Sequence, residues 1–291
     1  MSTAKQSFTI RASASRLEKG FLAIPQKFKD WFPNERDQIQ VVFDDEEKAR
    51  ALTFHPYGPE VKENRIFGVG RWFSKRSVRE GDRISITMED PARRLYRISL
   101  DRYVREREEQ KARRSLRDAR SDEEAKQELS VLSRLTGKRV RELAQEEILR
   151  IASESQRQPR PKVFPGANER HEGVPSGIRL LLRELHEGKC QLCSFTFDKR
   201  SGEPYFEIHH LDPKIGHHPS NLLVVCPNCH AQFEQAKITD FRWAGNWLVG
   251  VTINGKRVAI RQPLAQDSIK GTLLGLCIVA AATQFGRLLI R

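Results

Sequence analysis

Cys190-x-x-Cys193 and Cys226-x-x-Cys229 stand at the two ends of a 32-residue insert, residues 194 to 225. Each Cys-x-x-Cys turn offers two thiolates on one side of a tight loop. Two such turns supply the four sulfurs of a tetrahedral Zn2+ site and close the insert into a loop. Whatever the insert folds into must therefore begin and end at one point. These four use all but one of the chain's five cysteines. The opening Met1-Ser2-Thr3-Ala4-Lys5 has no secretory pattern, so a reducing, cytoplasmic compartment is expected and metal is favoured over disulfide. Cys277 lies in an apolar run and reads as a buried, inert thiol.

Inside the insert, Tyr205, Glu207 and Ile208 lead into His209-His210 as one short strand, and Asn221 to Val225 reads as a second strand returning to the cysteines. The insert is thus a hairpin. His230 follows the last cysteine and falls in the first turn of a helix running through Ala231, Phe233 and Gln235. Strand, strand and helix bring histidines distant in sequence around one cleft.

These residues resemble the HNH endonuclease family, with its ββα-metal fold, and specifically the McrA-like restriction type that carries a four-cysteine zinc site. The likeness covers about 45 residues, from Cys190 to Gln235. It implies that His209 and His230 bind a catalytic Mg2+ or Mn2+, that His210 is the general base, and that Asn221 fixes loop geometry. The chemistry agrees with that division. Hydrolysis of a phosphodiester needs a base of near-neutral pKa to activate water, which imidazole supplies. It also needs a cation against the charge that develops on phosphate. Neighbouring strand residues face opposite ways, so one His of the pair can bind metal while the other faces water. Two protein ligands leave positions open on the ion, as catalysis requires. The competing reading of the same residues is a zinc ribbon without catalysis. A ribbon has no use for His-His, Asn and His together. Alone, Asn221 is a common turn residue. His217 and His218 read as a phosphate contact or a plain loop rather than metal ligands, and Asp212-Pro213 reads as a turn.

The chain of 291 residues carries a formal charge of +13 and a pI near 9.8, a balance suited to a polyanion such as double-stranded DNA. With 38% hydrophobic residues it supports about two domains with real cores. Short β-branched or aromatic runs fill the first hundred residues: Phe8–Ile10, Gln38–Phe43, Ala51–Phe54, Arg65–Val69, Arg83–Met88 and Leu95–Leu100. Turn signals at Pro33-Asn34, Pro56 to Pro59 and Gly81-Asp82 separate them. An all-β barrel or sandwich follows, with a short helix near Gln26 to Trp31. The runs Gly20-Phe21-Leu22-Ala23-Ile24-Pro25-Gln26-Lys27-Phe28, Trp31-Phe32-Pro33, Gly70-Arg71-Trp72-Phe73 and Val78 to Ile84 resemble the B3-like DNA-binding pseudobarrel of plant transcription factors and restriction-enzyme effector domains. That resemblance implies base contacts from Arg71, Lys75 and Arg76, of which arginine's fork is best matched to guanine. Trp72 and Phe73 read as core.

Asp101 to Arg120 is almost wholly charged and reads as a solvated helix or linker. Two amphipathic helices then span 123 to 151, broken at Gly137, to pack on either domain or on a second copy of the chain. Gln156 to Lys162 reads as an extended basic linker, residues 177 to 187 as a helix with a core-facing stripe, and Asn254-Gly255 as the turn of a hairpin. Leu273 to Ala282 is too short to span a membrane and reads as a buried or dimer-forming helix. The expected architecture is α+β and multidomain: an all-β pseudobarrel over 1–102, a charged helical linker over 103–162, and an HNH domain with a four-cysteine zinc over 163–291. The expected activity is a restriction-type DNA endonuclease giving 5′-phosphate and 3′-hydroxyl ends, acting as a homodimer where both strands are cut, with a modified base as a candidate target. The competing activities are a homing or phage-type nuclease and a zinc-stabilised regulator.

Overall fold

From Arg83 to Met88 apolar and polar side chains alternate, and the structure turns Ile84 and Ile86 fully inward between Arg83, Ser85 and Thr87. This strand is one of seven, β1 (Ser7–Arg11), β2 (Phe21–Pro25), β3 (Asp37–Phe43), β4 (Arg50–His55), β5 (Glu63–Phe67), β6 (Arg83–Asp90) and β7 (Leu95–Leu100). They form a barrel-like sheet in the order β1-β6-β7-β3-β4-β5-β2. Every neighbouring pair is antiparallel except β3 with β7. The structure is a computed structural model that describes residues 6–44, 46–58, 60–159, 162–163, 170–171 and 173–265. It divides into two compact units, with the boundary between Lys111 and Ala112.

In the first unit the six expected strands are present, β5 beginning two residues early. β2 adds a seventh. Its run Phe21-Leu22-Ala23-Ile24 is buried at every position, so it lacks the alternation by which a strand is read from sequence. Two short helices also appear, α1 (Ala14–Lys19) between β1 and β2, and α2 (Gly70–Lys75) after β5. At six residues each, neither spans two helical turns, too little for a periodic signal. The core is aromatic: Phe32 stacks between Phe54 and Tyr96 at 4.7 and 4.6 Å, and Phe43 stacks on Trp72 at 5.0 Å.

The unit boundary falls within α3 (Asp101–Arg117), whose only buried side chains are Ala112 and Leu116. The second unit then builds one core from α4 (Asp122–Thr136), α5 (Val140–Glu154) and α6 (Ser176–His186). Ser121 caps α4 by accepting from Glu124 N, and Gly137, with φ +70°, ends it at the expected break. Leu129 and Leu132 of α4, Leu143, Ile148 and Ile151 of α5, and Leu180, Leu181, Leu182 and Leu185 of α6 share this core. Of the packings left open for the helices of 123 to 151, the structure has them in the second unit, in one core with α6, Leu222 and Val224. They are part of that core rather than a tether. The segment expected as an extended linker is also held: Gly216 N donates to Gln158 O at 2.7 Å, and Arg157 donates to Ser220 Oγ at 2.9 Å.

A two-residue pairing of β8 (Lys162–Val163) with β9 (Arg170–His171) follows. The closed insert then forms β10 (Glu207–His210) and β11 (Leu222–Val225), and α7 (Pro227–Gln235) follows the last cysteine pair. Alternation along β11 serves two cores at once: Leu222 and Val224 face the helices, while Leu223 and Val225 face the cysteines. A final sheet of β12 (Ile238–Ala244), β13 (Trp247–Ile253) and β14 (Lys256–Ala259) packs on the cysteine side through Leu248, Val251 and Ile253. The β13–β14 turn is Asn254-Gly255 with φ +47° and +80°, as a type I′ turn demands. The apolar run Leu273 to Ala282 lies outside the described residues. Among those described, no helix is long and apolar enough to cross a membrane.

One close approach fixes where α6 begins. A Cβ at Gly177 would lie 2.0 Å from the backbone oxygen of Leu116. Both atoms belong to rigid helices, so the clash has no flexible end to relieve it. Gly177→Ala is expected to destabilise the second unit by about 1–3 kcal/mol, measured as a lower urea midpoint for its unfolding.

Candidate active site

The two cysteine turns meet as their spacing requires. The Sγ atoms of Cys190, Cys193, Cys226 and Cys229 all lie within 4.8 Å of one another, with Cys193 3.7 Å from Cys226 and 3.6 Å from Cys229. Sulfurs around a tetrahedral ion at about 2.3 Å are about 3.8 Å apart, so the cluster has the dimensions of a single metal site. Ser194 N donates to Cys190 O and Cys190 N to Phe195 O, which makes the first turn a tight knuckle. Pro227 at the start of α7 shapes the second. Burial and the neighbouring Cys190 push the Cys229 thiol up. A cation among the sulfurs reverses that cost by stabilising thiolates. The residues present therefore fit a metal ion.

Antiparallel pairing sets His209 opposite Leu223 and His210 opposite Leu222. On β10, Glu207 and His209 share the face turned to α7, where the His209 ring lies edge-on to His230 at 5.2 Å and beside Phe233 at 4.7 Å. Burial, followed by the neighbouring His230, pushes His209 down to about 4. Its ring is thus neutral at neutral pH and keeps a nitrogen lone pair for a metal. Tyr205 donates to Glu207 Oε1 at 2.8 Å, and His230 Nδ1 donates to Glu207 Oε2. Burial raises the Glu207 carboxyl, but these two hydrogen bonds outweigh it and the net shift is downward. Glu207 so fixes the ring of His230, whose Nε2 lies 3.4 Å from Glu234 Oε1. His209, His210 and His230 line one cleft of about 660 Å3 with Arg179, Phe233 and Glu234. Among the described residues, the four cysteines are the one group of three or more ligand-type side chains close enough to hold an ion. The histidine cleft adds a pair.

Asn221 is 4% exposed and locks the loop that follows β10. Its Oδ1 accepts from Asp212 N at 2.9 Å, while Nδ2 donates to the carbonyls of Asp212, Ile215 and Gly216 at 3.0 to 3.3 Å. One amide side chain thus stands in for a strand along the inner edge of the loop. Further along the chain, His217 Nδ1 shares a hydrogen bond with His210 Nε2 at 3.1 Å, and His218 Nε2 donates to Ala152 O on α5 at 3.1 Å. Residue type alone leaves both as a phosphate contact or a plain loop. His218 anchors the loop to the helices, and His217 orients His210.

Residues 190–234 match the family described as HNH endonuclease. The HNH module accordingly runs from the first cysteine through the cleft-facing turn of α7. The match covers 45 of the chain's 291 residues. No curated protein matches the chain. Among solved structures, the Arabidopsis FUS3-DNA complex is similar at 15% identity and a TM-score of 0.28, covering 32% of this chain and 93% of that one. The N-terminal domain of Helicobacter pylori LlaJI.R1 is similar at 11% identity and a TM-score of 0.25, covering 33% and 86%.

Outside the HNH module, the three residues expected to contact bases have different surroundings. Arg71 is exposed on α2. Lys75 is 52% exposed and pairs with Glu46 at 2.8 Å. Arg76 is turned inward: its side chain is 12% exposed, it donates to buried Asp44 at 2.7 Å, and it stacks on Tyr103 at 3.7 Å. Asp44 also takes Trp72 Nε1 at 2.8 Å and Leu100 N at 2.9 Å. Arg76 is thereby the counter-charge of a buried carboxylate, a use that residue type and spacing cannot distinguish from DNA contact. Trp72 and Phe73 are buried, as read.

Two outcomes are expected at this site. Cys226→Ala loses the metal held by the cysteine cluster, measured by metal analysis of the purified protein, and the parent releases that metal as pH falls and the thiolates take up protons. Asn221→Ala removes the side-chain partner of the Asp212 amide and of the Ile215 and Gly216 carbonyls, while Asp212 O keeps Ile215 N at 3.1 Å, and is expected to destabilise the second unit by about 1–3 kcal/mol in urea unfolding.

Proposed function

We propose that this protein is a site-specific, metal-dependent DNA endonuclease of the restriction type. Its N-terminal unit selects the target, and its HNH module hydrolyses the phosphodiester to 5′-phosphate and 3′-hydroxyl ends. The observation that carries the reading is the convergence of His209, His210 and His230 on one open cleft beside a loop locked by Asn221.

His209 and His230 are the protein ligands of the catalytic ion, Mg2+ or Mn2+. When bound, that ion offsets the charge on the phosphate and on the departing oxygen. The neutral state of His209 and the Glu207 hold on His230 support both assignments. His210 is the general base. It leaves β10 on the opposite face from His209, lines the same cleft, and is steadied by His217. Asn221 takes no proton; it holds the backbone against which the attacking water and phosphate are positioned. The cysteine ion is Zn2+, suited to four thiolates and closed to substrate.

The net charge of +13 supports a duplex partner, and exposed Arg71 and Lys75 are the base-contact candidates in the first unit. The pair of Cys-x-x-Cys turns around the HNH residues resembles the McrA-like type, which makes a modified base a candidate target, although the cutting module does not itself choose the base. Cutting both strands from one catalytic cleft per chain favours a homodimer.

The test is cleavage of matched plasmids, unmodified, cytosine-methylated and hydroxymethylated, with Mg2+ or Mn2+, by the parent and by His210→Ala. Discrete fragments from one class of plasmid are expected from the parent. The variant is expected to cut about 100-fold slower or less, with zinc content and DNA binding retained. Binding without cutting under either metal would assign a DNA-binding regulator instead.

A further inference from the structure

We infer that Arg179 is a phosphate-binding residue of the cleft, presenting its guanidinium to a backbone phosphate of DNA seated against His209, His210 and His230. The inference rests on the nuclease reading of this cleft and adds to it a residue on α6, outside the segment matched to the HNH family.

Arg179 lines the same cleft as the three histidines. Its guanidinium lies over the ring of Phe206, 4.9 Å from the centroid. A cation on an aromatic face is held in place while its N–H donors stay available at the edge. Among the described residues, no carboxylate is within ion-pair distance of it. One turn further along α6, Arg183 shows the contrast: it donates to Glu184 at 2.7 Å and to Glu203 at 3.2 Å, and is spent on structure. The two arginines sit on one helix and differ only in what faces them. α6 is also a rigid wall, since Leu180, Leu181, Leu182 and Leu185 are buried in the helical core. An arginine on such a wall is placed before the ligand arrives, and its planar fork takes two phosphate oxygens together. Among the described residues, Glu234 is the one carboxylate lining the cleft with it, and its Oε1 lies 3.4 Å from His230 Nε2.

The test compares the full-length parent with Arg179→Met, Arg179→Gln and Arg179→Lys. Methionine keeps an aliphatic cover on Phe206, glutamine keeps polarity without charge, and lysine keeps charge without the fork. Single-turnover cleavage of a duplex at saturating enzyme with Mn2+ is expected to slow about 100-fold in both neutral variants and about 10-fold with lysine. Binding of the same duplex with Ca2+ in place of Mn2+ is measured over a series of salt concentrations. The slope of log affinity against log salt is expected to fall by about 0.9 in the neutral variants and to hold with lysine. Thermal melting shows which neutral variant keeps the fold, and that one is read. Parental rate and parental slope would overturn the inference, as would a slower rate with an unchanged slope, the signature of a purely structural role. If the parent cuts no duplex yet the slope still falls, the phosphate contact stands and the nuclease reading does not. If the parent cuts and the variants match it, the reverse holds.

Discussion

The clustering of four thiols ties the start of the insert to its end, and the geometry of the histidine cleft hangs on that tie. A two-stranded hairpin in isolation is marginal in water. Here β10 and β11 are closed at their base by Cys190, Cys193, Cys226 and Cys229, and the second cysteine turn feeds directly into α7. Position along the chain then becomes position in space. His209 lies in the middle of the insert, yet it meets His230, the residue after Cys229, ring against ring at 5.2 Å. Packing keeps the arrangement stiff. β11 sends alternate side chains into the helical core and into the cysteine core, so sliding the strand by one residue would exchange the two sets and mismatch both packings.

Polar groups complete what the thiols begin. Asn221 bonds four backbone groups of the loop after β10 with a single side chain. Glu207, Tyr205 and His230 form a chain of hydrogen bonds that sets one histidine, while burial keeps His209 uncharged. The cleft therefore sets an uncharged imidazole, His209, beside one whose ring Glu207 orients, His230.

Much of this module was legible beforehand. Cys-x-x-Cys spacing, His209-His210, Asn221 and His230 are residue types whose chemistry is narrow, and the hairpin and helix between them follow from local pattern. Asn254-Gly255 announced its turn for the same reason. Three kinds of feature were not legible. β2 and the six-residue helices α1 and α2 are too short or too uniformly apolar to show a period. The helices of 122 to 154 announced their apolar stripes but not the surface those stripes cover, which proved to be α6. Arg76 looked like Arg71 in sequence, and only its distance to buried Asp44 separates an internal counter-charge from a surface cation.

The sequence by itself determined the local chemistry: which atoms are able to bind metal, take a proton or end a helix, because those properties belong to single side chains and their near neighbours. Tertiary structure decided which of those atoms meet. It set Glu207 on His230, His217 on His210 and Arg179 into the histidine cleft, and it turned Arg183 and Arg76 to structural ends. Such contacts join elements separated by tens of residues. Their strength depends on distance and burial, and neither is a property of any one segment of chain.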